Sequence, residues 1–132
     1  MGARPCSSEI RRGRMLKAEG FLQAANDASA LDDAGQLRDA IVTLYVHAGI
    51  AAADVICCAR LGKHSTGDNH AEAVSLLQRA NAASAKHLGT LLKVKTRAGY
   101  SHTPASPDEA KKAARAATQL VEEALAAATP GP

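Results

Sequence analysis

One stretch dominates what this chain can become. Between residues 37 and 58, Leu37, Ile41, Leu44, Ala48, Ala51, Val55 and Cys58 recur at intervals of three and four, the spacing that gathers side chains on one face of an α-helix. Asp32 or Asp33 can cap this helix at its start, and the pattern predicts that it runs through Ala59. Gly49, Ala51, Ala52 and Ala53 keep part of its surface small, so that neighbouring helix axes can come close. The rest of the chain agrees with that demand. Hydrophobic residues are 46% of the sequence and aromatics only 2%, namely Phe21, Tyr45 and Tyr100, so any interior is filled by Ala, Leu, Val and Ile. Alanine is the best helix former, and the β-branched residues are too scattered to define several strands. The expected fold class is all-α, an antiparallel, up-down bundle of four to five helices.

A chain of 132 residues supports one hydrophobic core and is short for two. It is read as a single helical domain with an ordered core over about 8–128 and a disordered tail over 129–132. The span from Ile41 to Ala59 is apolar enough to raise a membrane helix. Asp54 in its middle would cost about 2.5–3.5 kcal/mol on insertion scales, and much of the apolarity is alanine, so it is read as the core helix of a soluble bundle. The net charge of +3 and a pI near 8.9 permit an RNA partner without demanding one. Cys57 and Cys58 are adjacent on a helix and point apart, which makes them poor disulfide partners; they are read as small core residues of a cytoplasmic protein in a reducing compartment. No targeting segment is evident at the N-terminus.

Four more helices follow from periodicity and caps. The first opens near Ser7 or Ser8 and reaches about Ala28, carrying Ile10, Met15, Leu16 and Leu22. After a loop over residues 61–69, Asp68 or Asn69 caps a short helix with Ala73, Val74, Leu76 and Leu77, which Asn81 interrupts or ends. The next covers roughly Ala83 to Ala98 and stops at Gly99 in a left-handed conformation. The last has the clearest start: Ser106, Pro107 and Glu109 form a capping box with proline at the first helical position. Its apolar face is Ala113, Ala117, Leu120, Val121, Ala124 and Leu125.

The segment most suited to chemistry is Lys93-Val-Lys95-Thr-Arg97-Ala-Gly-Tyr100-Ser-His102. A guanidinium can neutralise charge developing on a phosphorane, and an imidazole can move protons to and from ribose and leaving oxygens. Arg97 and His102 are therefore the catalytic candidates for metal-independent phosphodiester cleavage, and no metal ligand set or cofactor is expected. Five residues apart on a continuous helix, they would be separated by about 140°, so they converge only if the helix breaks between them. The competing reading pairs Arg97 with Tyr100, three residues on and on the same face, as a helix-end residue. On the central helix, His47 and Asp54 are seven apart and nearly aligned. Asp54 is expected to meet a basic residue of the fourth helix, Arg97 among them, or else to make an ordinary buried polar contact. With Lys93, Lys95 and Tyr100, these two residues complete the binding candidates. His64, His70 and Asp68 lack the spacing of a structural zinc site and are read as loop and cap residues.

Three stretches together resemble the HEPN superfamily of small helical bundles. These are Asp39 to Asp54, with its tyrosine and small residues, then Gly67-Asp-Asn-His70-Ala-Glu-Ala-Val, and Arg97-Ala-Gly-Tyr100-Ser-His102 leading into Ser106-Pro-Asp-Glu. The family motif is an arginine, four to six residues and a histidine. The resemblance implies a homodimeric, metal-independent RNase of toxin or defence type, in which Arg97 stabilises phosphate charge and His102 handles protons. It equally implies a non-catalytic module that binds a nucleotide, nucleic acid or a nucleotidyltransferase-type partner protein. Ala98 stands where active members often carry a polar residue, and Gly99 stands where a histidine-independent branch has an acid. A helical scaffold with only generic patterning is the third reading.

Overall fold

The computed structural model describes residues 2–67 and 69–128; the expected tail at 129–132 and the alternative cap Asp68 lie outside them. The described residues are mostly helical, with five helices and one small sheet among them: β1 (Ala3–Pro5), α1 (Ser8–Leu31), α2 (Arg38–Leu61), β2 (Lys63–Ser65), α3 (His70–Ala80), α4 (Ala82–Tyr100) and α5 (Pro107–Ala128). The first element, β1, thus precedes the expected core. Helix α2 is the hub: α1, α4 and α5 all pack on it, α5 also touches α4, and α3 lies against α4.

Burial explains the composition of α2. It is long and apolar enough to cross a bilayer, yet 78% of its apolar window is buried among the other elements. Val42, Val46, Ala48, Ala52, Val55 and Ile56 are at or near zero exposure. Gly49 marks the tightest approach: a Cβ there would run into the Leu91 side chain of α4 and sit 3.1 Å from Leu120 Cδ1 of α5. Both leucines are fully buried, each stabilising the fold by about 1.5–3 kcal/mol through its burial. Helix α1 meets α2 through Met15, Ala18 and Ala25, and through the Tyr45 hydroxyl, which donates to Asn26 Oδ1 at 2.7 Å. Leu16, expected on that face, is 73% exposed, because the Met15–Ala18–Ala25 stripe turns the next residue about 100° away.

The helix starts follow the caps. Ser7 Oγ accepts from Ile10 N–H, Asn69 Oδ1 from Glu72 N–H, and Asn81 Oδ1 from Ser84 N–H while the same residue ends α3. The start of α2 departs from expectation. Asp32 closes α1 instead, its carboxylate accepts the Leu37 N–H at 3.0 Å, and Leu37 begins α2 without a side-chain cap.

Two features were not expected. Residues 63–65 pair antiparallel with residues 3–5, His64 opposite Arg4, after Gly62 turns the chain out of α2 at φ 70°. Cys6, just beyond β1, is disulfide-bonded to Cys58 with Cα atoms 5.5 Å apart. Cys58 is thus not a plain core residue; its partner is the distant Cys6 and not its neighbour Cys57, which alone is free. The bond removes the argument from cysteine placement for a reducing compartment.

Two outcomes test this packing. Thiol titration of the unreduced, denatured chain is expected to find one free thiol. Reduction should lower stability by about 2–4 kcal/mol, because the bond closes a long loop across a sequence separation of 52. In urea unfolding, Gly49→Ala is expected to destabilise by about 1 kcal/mol or more, since overpacking (about 1–3 kcal/mol) outweighs the helix gain. Gly20→Ala on α1, where a Cβ meets open space, should stabilise by about 0.5–1 kcal/mol.

Candidate functional site

The candidate residues of α4 separate onto two sides of that helix. Leu88, Leu91 and Val94 are buried, which fixes the rotation of α4 on α2. Residues 93, 97 and 100 then fall on one exposed stripe at intervals of four and three, whereas Lys95 lies about 200° from both Lys93 and Arg97 and faces α3.

At the α4–α5 corner the helix does not stop at Gly99. It continues through Tyr100, and the Ser101 N–H donates to Thr96 O at 3.2 Å; Gly99 has no positive φ. Arg97 and Tyr100 consequently share a helical face, and His102 is exposed in the loop two residues past the helix end. Tyr100 is 83% exposed. Arg97 Nε faces Glu109 Oε2 at 3.0 Å with 44% of the arginine side chain exposed. Glu109 is itself fixed by the capping box: its Oε1 accepts Ser106 N–H at 2.9 Å, and Ser106 Oγ accepts Glu109 N–H at 3.1 Å. The Ser106 backbone N–H foremost, aided by Arg97, holds the Glu109 carboxyl below its ordinary pKa. The loop is anchored to the start of α2, where Asp39 Oδ1 accepts Ala105 N–H at 2.8 Å and Arg38 donates to Ala105 O at 3.4 Å.

Of the two readings of Asp54, a partner on the fourth helix such as Arg97 is not what the structure shows, since Arg97 pairs with Glu109. Asp54 instead faces Arg14 of α1, with Nε to Oδ2 at 3.6 Å. It lines a cavity of about 270 Å³ between α1, α2, α3, α4 and the end of β2. The polar wall is Arg14, His47, Asp54, Thr66, His70 and Lys95, and the apolar wall is formed by Ile50, Leu88 and Leu92. His47 is exposed at its rim and stacks on Phe21, ring centroids 5.3 Å apart. Lys95 Nζ lies 3.3 Å from His70 Nε2; an ammonium can only donate, so in this contact the ring nitrogen is the acceptor. The Thr66 hydroxyl is buried without a hydrogen-bond partner. Burial pushes the Asp54 carboxyl up to about 6, against the opposing charges of Arg14 and His64. Cys57 is a wall residue too, its thiol pushed up to about 12 by burial and then by Asp54, so it is protonated and unreactive near neutrality.

Three binding candidates, His47, Asp54 and Lys95, thus meet in the cavity, while Lys93, Arg97, Tyr100 and His102 lie along the corner. Sequence reasoning missed Arg14 and Thr66, which carry no periodic or motif signal, and it read His70 only among the loop and cap residues. Glu109 was visible as half of a capping box, but nothing in the spacing announced that it also orients Arg97. Compared with known proteins, the chain matches no family model and no curated sequence.

Asp54 supplies a pH test. Its folded pKa lies above the unfolded value, so the protonated form is favoured by folding; this contribution is complete below about pH 4 and is lost as pH rises through about 6. Asp54→Asn is therefore expected to raise stability at pH 7.5 by about 1–3 kcal/mol and to flatten the stability profile between pH 4 and 6. Urea unfolding across that range checks both; a variant less stable than the parent at pH 7.5 contradicts the assignment.

Proposed function

We propose that this chain is an HEPN-like, up-down helical module that binds single-stranded RNA along the α4–α5 corner. The observation that carries the reading is the exposed stripe of Lys93, Arg97 and Tyr100 leading to His102. Phe21 is partly buried and Tyr45 buried, so an aromatic ring left 83% exposed beside two cations is out of keeping with the rest of the chain. Unpaired bases stack on such rings for about 1–3 kcal/mol each, a use that duplexes do not share because their bases are already stacked. With Arg97 Nε held by Glu109, the planar guanidinium is pre-oriented, and its terminal amino groups have no other partner among the described residues. That is the arrangement for a fork on a phosphate.

His102 gives the reading its catalytic form. In a homodimer, one imidazole takes the proton of a ribose 2′-hydroxyl as that oxygen attacks the adjacent phosphorus. The bond to the 5′-oxygen breaks, and the partner copy's imidazole protonates the leaving oxygen. The products are a 2′,3′-cyclic phosphate and a 5′-hydroxyl end, with Arg97 balancing the charge on the phosphorane.

The test uses labelled single-stranded RNA with the full chain in the presence of chelator. Tyr100→Ala and Arg97→Ala are each expected to weaken binding about 5- to 100-fold, while His102→Ala binds within twofold of the parent and yields no cyclic phosphate. RNA bound but left intact by the parent assigns the non-catalytic module. Parent-like binding by both Tyr100→Ala and Arg97→Ala overturns the corner as the RNA site.

A further inference from the structure

The cavity on the other side of α4 is unused by the RNA reading, and its chemistry is of a different kind. Its fixed charges do not cancel among the described residues: the cations Arg14 and Lys95 stand against the single carboxylate Asp54. Arg14 is engaged by Asp54. Lys95 has no carboxylate among the described residues and rests on a ring nitrogen of His70. A half-buried ammonium held by an imidazole alone keeps donors for an anion, and the neighbouring Thr66 hydroxyl is buried with neither donor nor acceptor satisfied. Buried hydroxyls are ordinarily paired, and an orphan on a cavity wall marks a position where a ligand atom or water completes it. Opposite these groups, Ile50, Leu88 and Leu92 present a hydrocarbon surface.

We propose that this cavity is a binding site for a small organic anion with an apolar body. The head group lies on Lys95, with His70 and Thr66 beside it; the body lies on Ile50, Leu88 and Leu92, and a hydroxyl or amino group on the ligand meets Asp54. A volume of about 270 Å³ falls just below the usual range of ligand pockets, roughly 300–1,000 Å³, which limits the occupant to about one ring and one head group. A carboxylate and a phosphate monoester share this chemistry, and the experiment separates them.

The full chain, isotopically labelled, is titrated with phenyl phosphate, phenylacetate, inorganic phosphate and benzyl alcohol, and followed by amide shifts and calorimetry. At least one of the two phenyl anions is expected to bind saturably, moving the amides of Thr66, His70 and Lys95, and the tighter of the two names the head group. Inorganic phosphate, which lacks the body, and benzyl alcohol, which lacks the charge, are each expected to bind at least tenfold more weakly. Lys95→Gln should weaken the phenyl anion at least tenfold, and Leu92→Trp, which fills the apolar side from a half-buried position, should block it. Tyr100→Ala should leave it unchanged, which keeps this site's outcome separate from that of the RNA reading. Absence of saturable binding by both phenyl anions overturns the proposal, as does unchanged binding by Lys95→Gln or inorganic phosphate binding as tightly as phenyl phosphate.

Discussion

The close contact of α2 with α4 and α5 sets everything else in the molecule. Gly49 and the alanines around it let Leu91 and Leu120 settle directly against the α2 backbone. Packing at this density is intolerant of rotation, because turning α4 by one residue either way would exchange the buried Val94 for a lysine. The orientation of α4 follows, and with it the division of its cations. Val94 faces the core, so Lys93 and Lys95 on either side of it leave the helix in different directions. One joins Arg97 and Tyr100 in solvent, and the other joins His70 in the cavity.

The parts of the fold legible in the sequence were those governed by local rules. Helix starts at Ser7, Asn69 and Ser106 obey capping chemistry confined to four residues, and the α5 core face repeats the spacing that a helix imposes. The parts that were not legible depend on partners distant in sequence. Three-residue strands are too short for periodicity to register, and β2 exists because residues 3–5 lie beside it. Cys58 was read against its neighbour Cys57, although its bond reaches across 52 positions. Gly99 looked like a helix stop, yet a helical conformation is open to glycine, and the Ser101 to Thr96 hydrogen bond carries the helix to Tyr100.

The candidate site shows the same contrast. The seven-residue alignment of His47 and Asp54 put both on one side of α2, and the cavity contains both. Which cation meets Asp54 was beyond reach, because Arg14 sits on a helix whose relation to α2 only the packing determines. The buried carboxylate is costly, as its raised pKa records. A group whose proton affinity is perturbed by burial, set in a cavity beside an unsatisfied hydroxyl and a cation that has no counter-charge among the described residues, is characteristic of a ligand site more than of a packed core.

The account stands on α4 having two chemically separate working sides. Amide shift mapping of the full chain with a short single-stranded RNA, and separately with phenyl phosphate, measures this most directly. The RNA is expected to perturb Lys93, Arg97, Tyr100 and the loop through His102, and the small anion to perturb Thr66, His70 and Lys95, with little overlap. A single set of residues responding to both would contradict the division.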